Sequence, residues 1–231
     1  MARTQPPGWV ISSMSTHPQV MLHTPLPPSR ALLWLCATLL AVAPVLAQAD
    51  DTASGNRPAI TLRTNVPYYF VGGYHLEGTV HFPGHWSVGL TVQGISELPE
   101  FGRDQFFEVS DGDITIEWPY AVGAEVMYRF RENTFDGGFY AAGSLGYEGW
   151  RALRNGGSDA EQNFANAFFA VDFGYTWYPF PKRRFLVAAE YSTVLLLNNT
   201  DRQALGDEAF ELRRIAWPGL LPSAILLGWR F

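Results

Sequence analysis

Apolar and polar side chains alternate with a period of two residues in stretches of about ten residues along most of the chain. In the stretch 120–130, Val122 and Val126 would share one face of a strand, while Glu125 and Arg129 would share the other. Eight such stretches are separated by Pro, Gly, Asn and Asp: 60–70, 74–82, 86–96, 120–130, 139–150, 164–178, 185–197 and 221–231. Their lengths suit tilted membrane strands of about 9–11 residues better than soluble strands of about five or six. The pattern predicts an all-β chain that forms an eight-stranded antiparallel up-and-down β-barrel.

The period alone does not say which way the apolar face of this barrel points. A soluble barrel turns it inward, whereas a transmembrane barrel turns it outward to lipid and encloses polar side chains. Aromatic residues at the ends of the even-numbered stretches favour the membrane, because their rings prefer the membrane–water interface. We expect seven such interface aromatics: Phe82, Trp86, Tyr128, Phe130, Trp177, Trp229 and Phe231.

The connections between the stretches also alternate in length. Those at 83–85, 131–138 and 179–184 are short, whereas those at 97–119, 151–163 and 198–219 are long and polar. Short periplasmic turns and long outer loops are the asymmetry expected of outer-membrane barrels. The chain also ends on Phe231 within a strand, which resembles the C-terminal signal that the bacterial barrel-assembly machinery recognises. We therefore expect a transmembrane barrel in the bacterial outer membrane.

The N-terminal region has the features of an export signal. An apolar run at 31–47 follows Arg30, and small residues at Ala47 and Ala49 suit cleavage by signal peptidase. A membrane-spanning helix is the alternative, but the run is shorter than the about 20 residues that spanning needs. We expect an N-terminal extension and signal peptide at 1–49, a short periplasmic lead at 50–58 and the barrel at 59–231. Met1, Met14 and Met21 all remain possible start positions.

Composition excludes several classes of function. The net charge of −6 disfavours a nucleic-acid partner. The single cysteine, Cys36, leaves no disulfide framework and no cysteine-based zinc site. Nothing in the composition calls for a cofactor.

Three short motifs in the first stretches resemble a known family. Residues 62–68 (LRTNVPY), 75–78 (HLEG) and 85–90 (HWSVGL) are similar to the first three strands of a family of small outer-membrane barrels of unknown function. Members carry an "LKTN" first strand, a "G-x-E" second strand and a "K-W-S-L-G" third strand. His85 departs from this pattern, which has a lysine there. The later stretches match only the general pattern of OmpA-type eight-stranded barrels, and the resemblance implies no catalytic residues.

Ionisable residues on the polar face predict a charged network inside the barrel. Eight strands enclose a space just wide enough for side chains to fill, and unpaired charges there are costly. We expect a lumen network of Arg63, Glu77, His81, Glu125, Arg129, Asp172, Glu190 and Arg230. In this network the three arginines would pair with the carboxylates and plug the lumen. A gated ion path is the functional alternative.

Histidines and serines raise the question of catalysis. Some eight-stranded barrels modify lipid A, and the candidates here are His75, His81 and His85 with Ser87 or Ser96. Such chemistry would need a histidine beside a serine on the outer, lipid-exposed wall. His75 and His81 share the predicted inward face, so we expect no enzyme.

The connection 97–119 has the most unusual composition. It contains seven carboxylates and one arginine, which predicts a solvated, self-repelling loop. Asp111 and Asp113 are weak candidates for a calcium site, since calcium takes several oxygen ligands. Apart from these, we expect no metal.

Taken together, these features predict a structural or surface-interaction barrel with a plugged lumen. A small channel or an apolar-solute conduit of the OmpW kind is the alternative, and a lipid-modifying enzyme is a more remote one. Expected partners are outer-membrane lipids and lipopolysaccharide, the barrel-assembly machinery through the last strand, and a possible surface partner through 97–119 and 198–219.

Overall fold

The computed structural model describes residues 58–109, 114–132, 137–154, 160–198, 201, 203–205, 208–216 and 224–231. The expected signal peptide at 1–49, with Cys36, lies outside these residues, as do Asp111, Asp113 and all but the last residue of the expected lead at 50–58. The predicted fold is confirmed, because eight strands form one closed antiparallel barrel. The barrel strands are β1 (Ala59–Asn65), β2 (Gly73–His81), β3 (Trp86–Ile95), β5 (Ile114–Arg129), β6 (Gly138–Arg154), β7 (Glu161–Trp177), β8 (Phe185–Leu196) and β12 (Ala224–Arg230). Each pairs with the next, and β12 pairs with β1 to close the cylinder.

The first strand is shorter than the predicted stretch 60–70 at its C-terminal end. It ends at Asn65, and Val66–Phe70 form a short helix, α1, at the connection to β2. Pro67 lies in the first turn of α1. Proline has no N–H to donate to a strand ladder and fits the first turn of a helix, which explains the change.

Three neighbouring strands are longer than predicted. Strands β5, β6 and β7 contain 16, 17 and 17 residues, whereas β1 and β12 contain seven each. The barrel wall is therefore much taller on one side. We call the end with the short connections 82–85, 130–137 and 178–184 the turn end, and the opposite end the cap end.

The structure shows that the apolar face points outward. Val126, Leu145 and Phe173 on the outer wall have 52%, 60% and 58% of their surface exposed. The inward-facing Arg63 and Glu77 are each 4% exposed. This is the reverse of a soluble barrel, which buries its apolar side chains inside.

Two aromatic rings fill space left by glycines on the neighbouring strand. Phe168 lies directly opposite Gly146, and Tyr140 lies directly opposite Gly174, in the β6–β7 ladder. A Cβ atom added at either glycine would collide with the opposing ring. The glycines are therefore required here because large side chains of the lumen cross over their backbone.

A small cap covers the cap end, and its apolar side chains form one hydrophobic cluster with residues of the barrel strands. Helix α2 (Glu100–Phe106) leads into a three-stranded sheet of β4 (Phe107–Val109), β10 (Glu208–Leu212) and β9 (Gln203–Leu205). A two-residue strand, β11 (Ile215–Ala216), extends the pairing of β8. The buried core between this sheet and the tall strands includes Phe107, Ile114, Ile116, Trp118, Trp150, Phe210 and Leu212.

The cap corrects the expectation of a solvated loop at 97–119. Leu98 and Phe107 are buried, while the side chains of Glu100 and Asp104 are exposed. Glu97, Glu100, Asp104 and Glu108 are exposed, and apolar residues between them contribute to the core. Burial of these apolar side chains outweighs the repulsion between solvated carboxylates, which water and salt screen.

Within the described ranges, neither helix has the length and apolar character needed to cross a membrane.

Candidate functional site

The charged side chains of the lumen converge near its middle. Arg63 donates a hydrogen bond from Nε to Glu77 Oε1 at 3.0 Å, and its Nη2 binds the same oxygen. Arg63 Nη2 also lies 3.6 Å from Glu125 Oε1. Tyr140 donates its hydroxyl hydrogen bond to Glu190 Oε2 at 2.7 Å. We call Arg63, Glu77, Glu125, Tyr140 and Glu190 the central cluster.

The strand register explains why the central cluster forms. Arg63 and Glu77 are directly opposite each other in the β1–β2 ladder. Thr79, two residues along β2 and on the same face, donates a hydrogen bond to Glu77 Oε1 at 2.6 Å. Gly228, opposite Arg63 on the other side, leaves room for the arginine stem. Alternation of side chains along each strand is therefore sufficient to place these groups inside the barrel.

Arg129 does not join the central cluster, in contrast to the expectation from sequence. Its Nη2 donates to the backbone carbonyls of Phe82 and Gly84 at 2.9 and 2.6 Å, and its Nε lies 3.5 Å from the carbonyl of His85. These carbonyls belong to the turn between β2 and β3, where the ladder has ended. Arg129 thus satisfies backbone acceptors at the turn end rather than carboxylates.

Arg230 also lies near the turn end. Its guanidinium carbon is 5.3 Å from the centre of the Tyr178 ring, which is a cation–π distance. Arg63 is therefore the arginine that lies among the four carboxylates in the middle of the lumen. These carboxylates belong to Glu77, Glu125, Asp172 and Glu190. Asp172 is buried on β7, and Glu190 is half-buried on β8, which only β12 separates from β1.

Below the central cluster, toward the turn end, the lumen is filled. His81 is hydrogen-bonded through Nε2 to Thr61 Oγ1 at 2.9 Å and through Nδ1 to Ser87 Oγ at 2.8 Å. The remaining cavity near Met127 and Tyr140 has a volume of about 30 Å³. This volume matches about one water molecule.

Among the histidine and serine candidates for lipid chemistry, His81 and Ser87 are in contact, and they lie inside the barrel. Ser87 is fully buried and His81 is 7% exposed. His75 accepts a hydrogen bond from the Asn65 backbone N–H and is also buried. His85 packs in the turn against Tyr128, and Ser96 donates to the Gly72 carbonyl at the cap end. None of these described side chains forms a histidine–serine pair on the outer wall.

Above the central cluster lies a larger cavity, which we call the upper chamber. Its volume is about 270 Å³. Glu77, Glu125, Asp172 and Glu190 line its floor and walls, and Tyr68, Phe106 and Trp118 line it toward the cap. Sequence analysis missed this space, because its roof depends on cap residues that are distant in sequence.

The seven expected interface aromatics all lie near the turn end. Six are exposed on the outer wall by 42–58%: Phe82, Trp86, Phe130, Trp177, Trp229 and Phe231. Tyr128 is partly covered, since it packs between His85 and Trp86 at ring distances of 5.0 and 5.1 Å. A second set of exposed aromatics lies at the other side of the apolar band and was not predicted: Tyr69, Phe70, Tyr74 and Tyr147. The Tyr-Tyr-Phe run at 68–70, directly after the first strand, is the sequence feature that could have predicted aromatic residues at this side of the band.

One exposed ion-pair network connects the tall strands beyond the apolar band. Arg151 on β6 donates to Glu161 of β7 at 2.9 Å through two nitrogens, and to Glu117 of β5 at 3.4 Å. The hydrogen bonds from Arg151 lower the pKa of Glu161 below its ordinary value. The network links the extensions of three strands above the barrel, whose register the backbone ladders define.

No metal site is found in the described part of the chain. Among these residues, no three His, Cys, Asp or Glu side chains are close enough to hold one ion. Asp111 and Asp113 lie outside the described residues.

Solved structures of three bacterial outer-membrane proteins are similar to this chain. The N-terminal β-barrel domain of OprF from Pseudomonas aeruginosa has a TM-score of 0.43 and 12% identity, covering 78% of this chain and 100% of that one. Ail of Yersinia pestis has a TM-score of 0.36 and 15% identity, covering 75% and 93%. Neisserial surface protein A has a TM-score of 0.34 and 13% identity, covering 75% and 94%. These likenesses are too distant to carry a functional conclusion.

Neither a protein-family model nor a curated protein sequence matches the chain. The resemblance of residues 62–68, 75–78 and 85–90 to a family of small barrels therefore stays a prediction.

Proposed function

We propose that this chain is a bacterial outer-membrane β-barrel with a structural or surface-interaction role and a lumen closed by side chains. The observation that supports it most is the orientation of the wall. Apolar side chains face outward around the cylinder, while charged ones are buried within it. Soluble monomers rarely expose apolar patches larger than a few hundred Å².

The outward apolar positions form continuous rows across the strands. The ladder registers place six residues in one such row: Leu62, Gly78, Leu90, Ala124, Leu145 and Phe169. None of the six is charged. A row of this kind suits acyl chains, and placing a charge there is costly in a depth-dependent way.

The height of the apolar band fits a bilayer. Tyr120 lies near the exposed aromatics on the cap side of the apolar band, and Phe130 belongs to the aromatics near the turn end. The chain rises through ten residue steps from Tyr120 to Phe130, along β5 and the residue after it. Ten steps correspond to roughly 33 Å along a strand, or about 25 Å along the axis at a tilt near 40°. An outer-membrane barrel has an apolar band of about 25 Å between aromatic girdles.

The proposed orientation places the turn end in the periplasm and the cap end outside the cell. The cap then supplies the surface that meets lipopolysaccharide or a partner, through 97–119 and 198–219. The last strand, which closes the barrel against β1, is the segment that the assembly machinery would receive. Residues 1–49 would direct export, and 50–58 would remain in the periplasm.

Closure of the lumen is proposed from two features. The central cluster crosses the middle of the cylinder, and a cavity found below it among the described residues has a volume of about 30 Å³. The Arg63 and Glu77 side chains that cross it are almost fully buried. These features favour a plug over a channel or conduit.

Location and orientation are tested together in cells. The full chain is expressed in a bacterium with two membranes, with an epitope inserted between Asp111 and Gly112 in one version and between Asp50 and Asp51 in the other. We expect both versions in the outer-membrane fraction. Antibody should label intact cells only when the epitope is at 111–112, and should reach 50–51 only after the outer membrane is permeabilised.

The reverse labelling pattern would show that the orientation is wrong. Recovery of both versions in the soluble fraction would refute the membrane location. The barrel strands are unmodified in both versions, so each serves as the control for the other.

A further inference from the structure

We infer that the upper chamber is a binding site for a small molecule with an aromatic or apolar body and one positively charged amine. The proposal goes beyond the structural and surface role, because a plugged barrel does not require a ligand site above the plug. Four features of the chamber support it: its size, the charge of its floor, the chemistry of its roof and its access to the surface.

The chamber is the right size for a compact organic molecule. Its volume of about 270 Å³ is just below the range of about 300–1,000 Å³ found for pockets that bind drug-sized ligands. Since a water molecule takes about 30 Å³ of liquid, the chamber has room for about nine or ten non-hydrogen atoms.

The floor of the chamber has more acidic than basic groups. Glu77, Glu125, Asp172 and Glu190 all line it, and Arg63 is the arginine that contacts this group. Buried carboxylates need a compensating charge or hydrogen bonds. A ligand cation in the chamber would supply that charge.

Glu125 is the carboxylate best placed to receive the cation. It is 7% exposed, and its Oε1 accepts no hydrogen bond from the described residues. The nearest charged nitrogen, Arg63 Nη2, is 3.6 Å away, which is beyond hydrogen-bonding distance. Arg63 instead gives both of its short hydrogen bonds to Glu77. An ammonium group beside Glu125 would complete the bonding of this oxygen.

The roof supplies aromatic surface and an unused donor. Trp118 is 5% exposed, and its Nε1–H finds no acceptor among the described residues. Tyr68 and Phe106 pack near Trp118, each at a ring distance of 6.2 Å, and Phe168 also lines the chamber. A ligand that spans the chamber would therefore present an acceptor atom to Trp118 and a flat apolar body to these rings.

The chamber reaches the surface at the cap end. Pro67 of α1 and Phe101 of α2 both line it, and Phe101 is 67% exposed. A small molecule would enter between the two helices from the proposed outer side. The central cluster blocks further passage toward the turn end.

The spread of the carboxylates favours an organic cation over a metal ion. The four acids project from four different strands, β2, β5, β7 and β8. A metal ion needs several ligand atoms converging at about 2.0–2.6 Å, whereas an ammonium group needs only one or two acceptors.

Tyramine is a suitable probe, because it joins an ammonium group to a phenol and has about the right size. The full chain is refolded in detergent micelles with ¹⁵N-labelled tryptophan, and the indole N–H signals are followed by NMR. The Trp118 signal is identified by its loss in Trp118→Phe. We expect tyramine to shift the Trp118 signal saturably at millimolar concentration or below, while the lipid-facing Trp229 reports on partition into the micelle.

Two probes that share the phenol ring and two-carbon arm of tyramine separate charge recognition from apolar partition. Neutral 4-ethylphenol should bind at least tenfold more weakly than tyramine, and anionic 3-(4-hydroxyphenyl)propionate should give no saturable shift at Trp118. Equal binding of the three compounds, or no saturable shift with tyramine at about 20 mM, would overturn the proposal. This comparison uses the unmodified protein, so it does not depend on whether a variant folds.

Variants then locate the amine. Glu125→Gln keeps the shape of the side chain and should weaken tyramine binding at least tenfold. Glu148→Gln is the matched control, because Glu148 is a buried carboxylate that accepts from Trp150 and does not line the chamber. Unchanged binding in Glu125→Gln, or an equal loss in both variants, would contradict the assignment of Glu125.

Discussion

Arg63 and Glu77 stand directly opposite each other on β1 and β2, and the guanidinium gives two hydrogen bonds to one carboxylate oxygen. Both side chains are almost fully buried. A buried pair of this kind is strongly destabilised when one partner is removed, because the other is left as an uncompensated charge. We therefore expect the pair to contribute to the stability of the barrel.

Arg63→Met should lower the free energy of unfolding by about 3–5 kcal/mol, since the carboxylates of the central cluster lose their cation. Urea unfolding of the protein in phospholipid vesicles measures the change. Arg131→Met is the control, because Arg131 is exposed at the turn end and should change stability by less than about 0.5 kcal/mol. Equal stability of the two variants would show that the central cluster does not hold the barrel together.

Gly146→Ala should destabilise the barrel by about 1–3 kcal/mol, because the new methyl group collides with the ring of Phe168 and with the Val122 carbonyl oxygen. Gly143→Ala is a matched control on the same strand. A Cβ at Gly143 meets Phe169 at 3.7 Å, an ordinary contact, so this variant should be neutral or slightly stabilising. If both variants unfold at the same urea concentration, the close approach of Phe168 to Gly146 is wrong.

The refolded protein should produce no discrete conductance steps in planar lipid bilayers. The reason is that the central cluster crosses the lumen and the space below it has room for about one water. A porin reconstituted in the same bilayers serves as the positive control. Reproducible single-channel steps from this protein would favour the channel alternative over the plug.

Arg151→Gln should raise the pKa of Glu161 toward its ordinary value, because the arginine lowers it through hydrogen bonds. The stabilisation that goes with a lowered carboxyl pKa is present above the pKa of the unfolded chain. It is lost as pH falls through the pKa of the folded protein. A titration of the Glu161 side chain by ¹³C NMR measures the shift, and an identical titration curve in Arg151→Gln would contradict the network.

The barrel could be predicted from sequence because its signal is local. Each strand alternates along its own length, so parity alone assigns Glu125 to the lumen and Val126 to the outer wall. The same parity assigns Arg63 and Glu77 to the lumen, whereas their direct pairing depends on the strand register, which the structure shows. The period does not determine which way the apolar face points. The aromatic residues at the strand ends provided the additional evidence for an outward orientation.

The cap could not be predicted because its contacts are not local. Strand β4 at 107–109 pairs with β10 at 208–212, about a hundred residues later, and each segment is too short to show a period. Acidic residues dominate the composition of 97–119 and hide the few apolar side chains that form the core. Without the cap there is no roof, so the upper chamber could not be foreseen either.

The role of Arg129 was misjudged for a different reason. Charge pairing suggested a carboxylate partner in the lumen, but the turn between β2 and β3 presents backbone carbonyls that no ladder satisfies. Backbone carbonyls at strand ends compete with carboxylates for the hydrogen bonds of an arginine. The sequence alone does not show which of these acceptors lies closer to the guanidinium.

The central claim is that apolar side chains face lipid while charged ones are enclosed, and tryptophan quenching by brominated phospholipid tests it most directly. Two single-tryptophan proteins are compared in vesicles: one keeps Trp229, which is 46% exposed on the outer wall, and the other keeps Trp150 of β6, which is buried against the cap. We predict strong quenching of Trp229 by bromine on the acyl chains and little quenching of Trp150. An unquenched Trp229, in a protein that stays monomeric in water without detergent, would contradict the account.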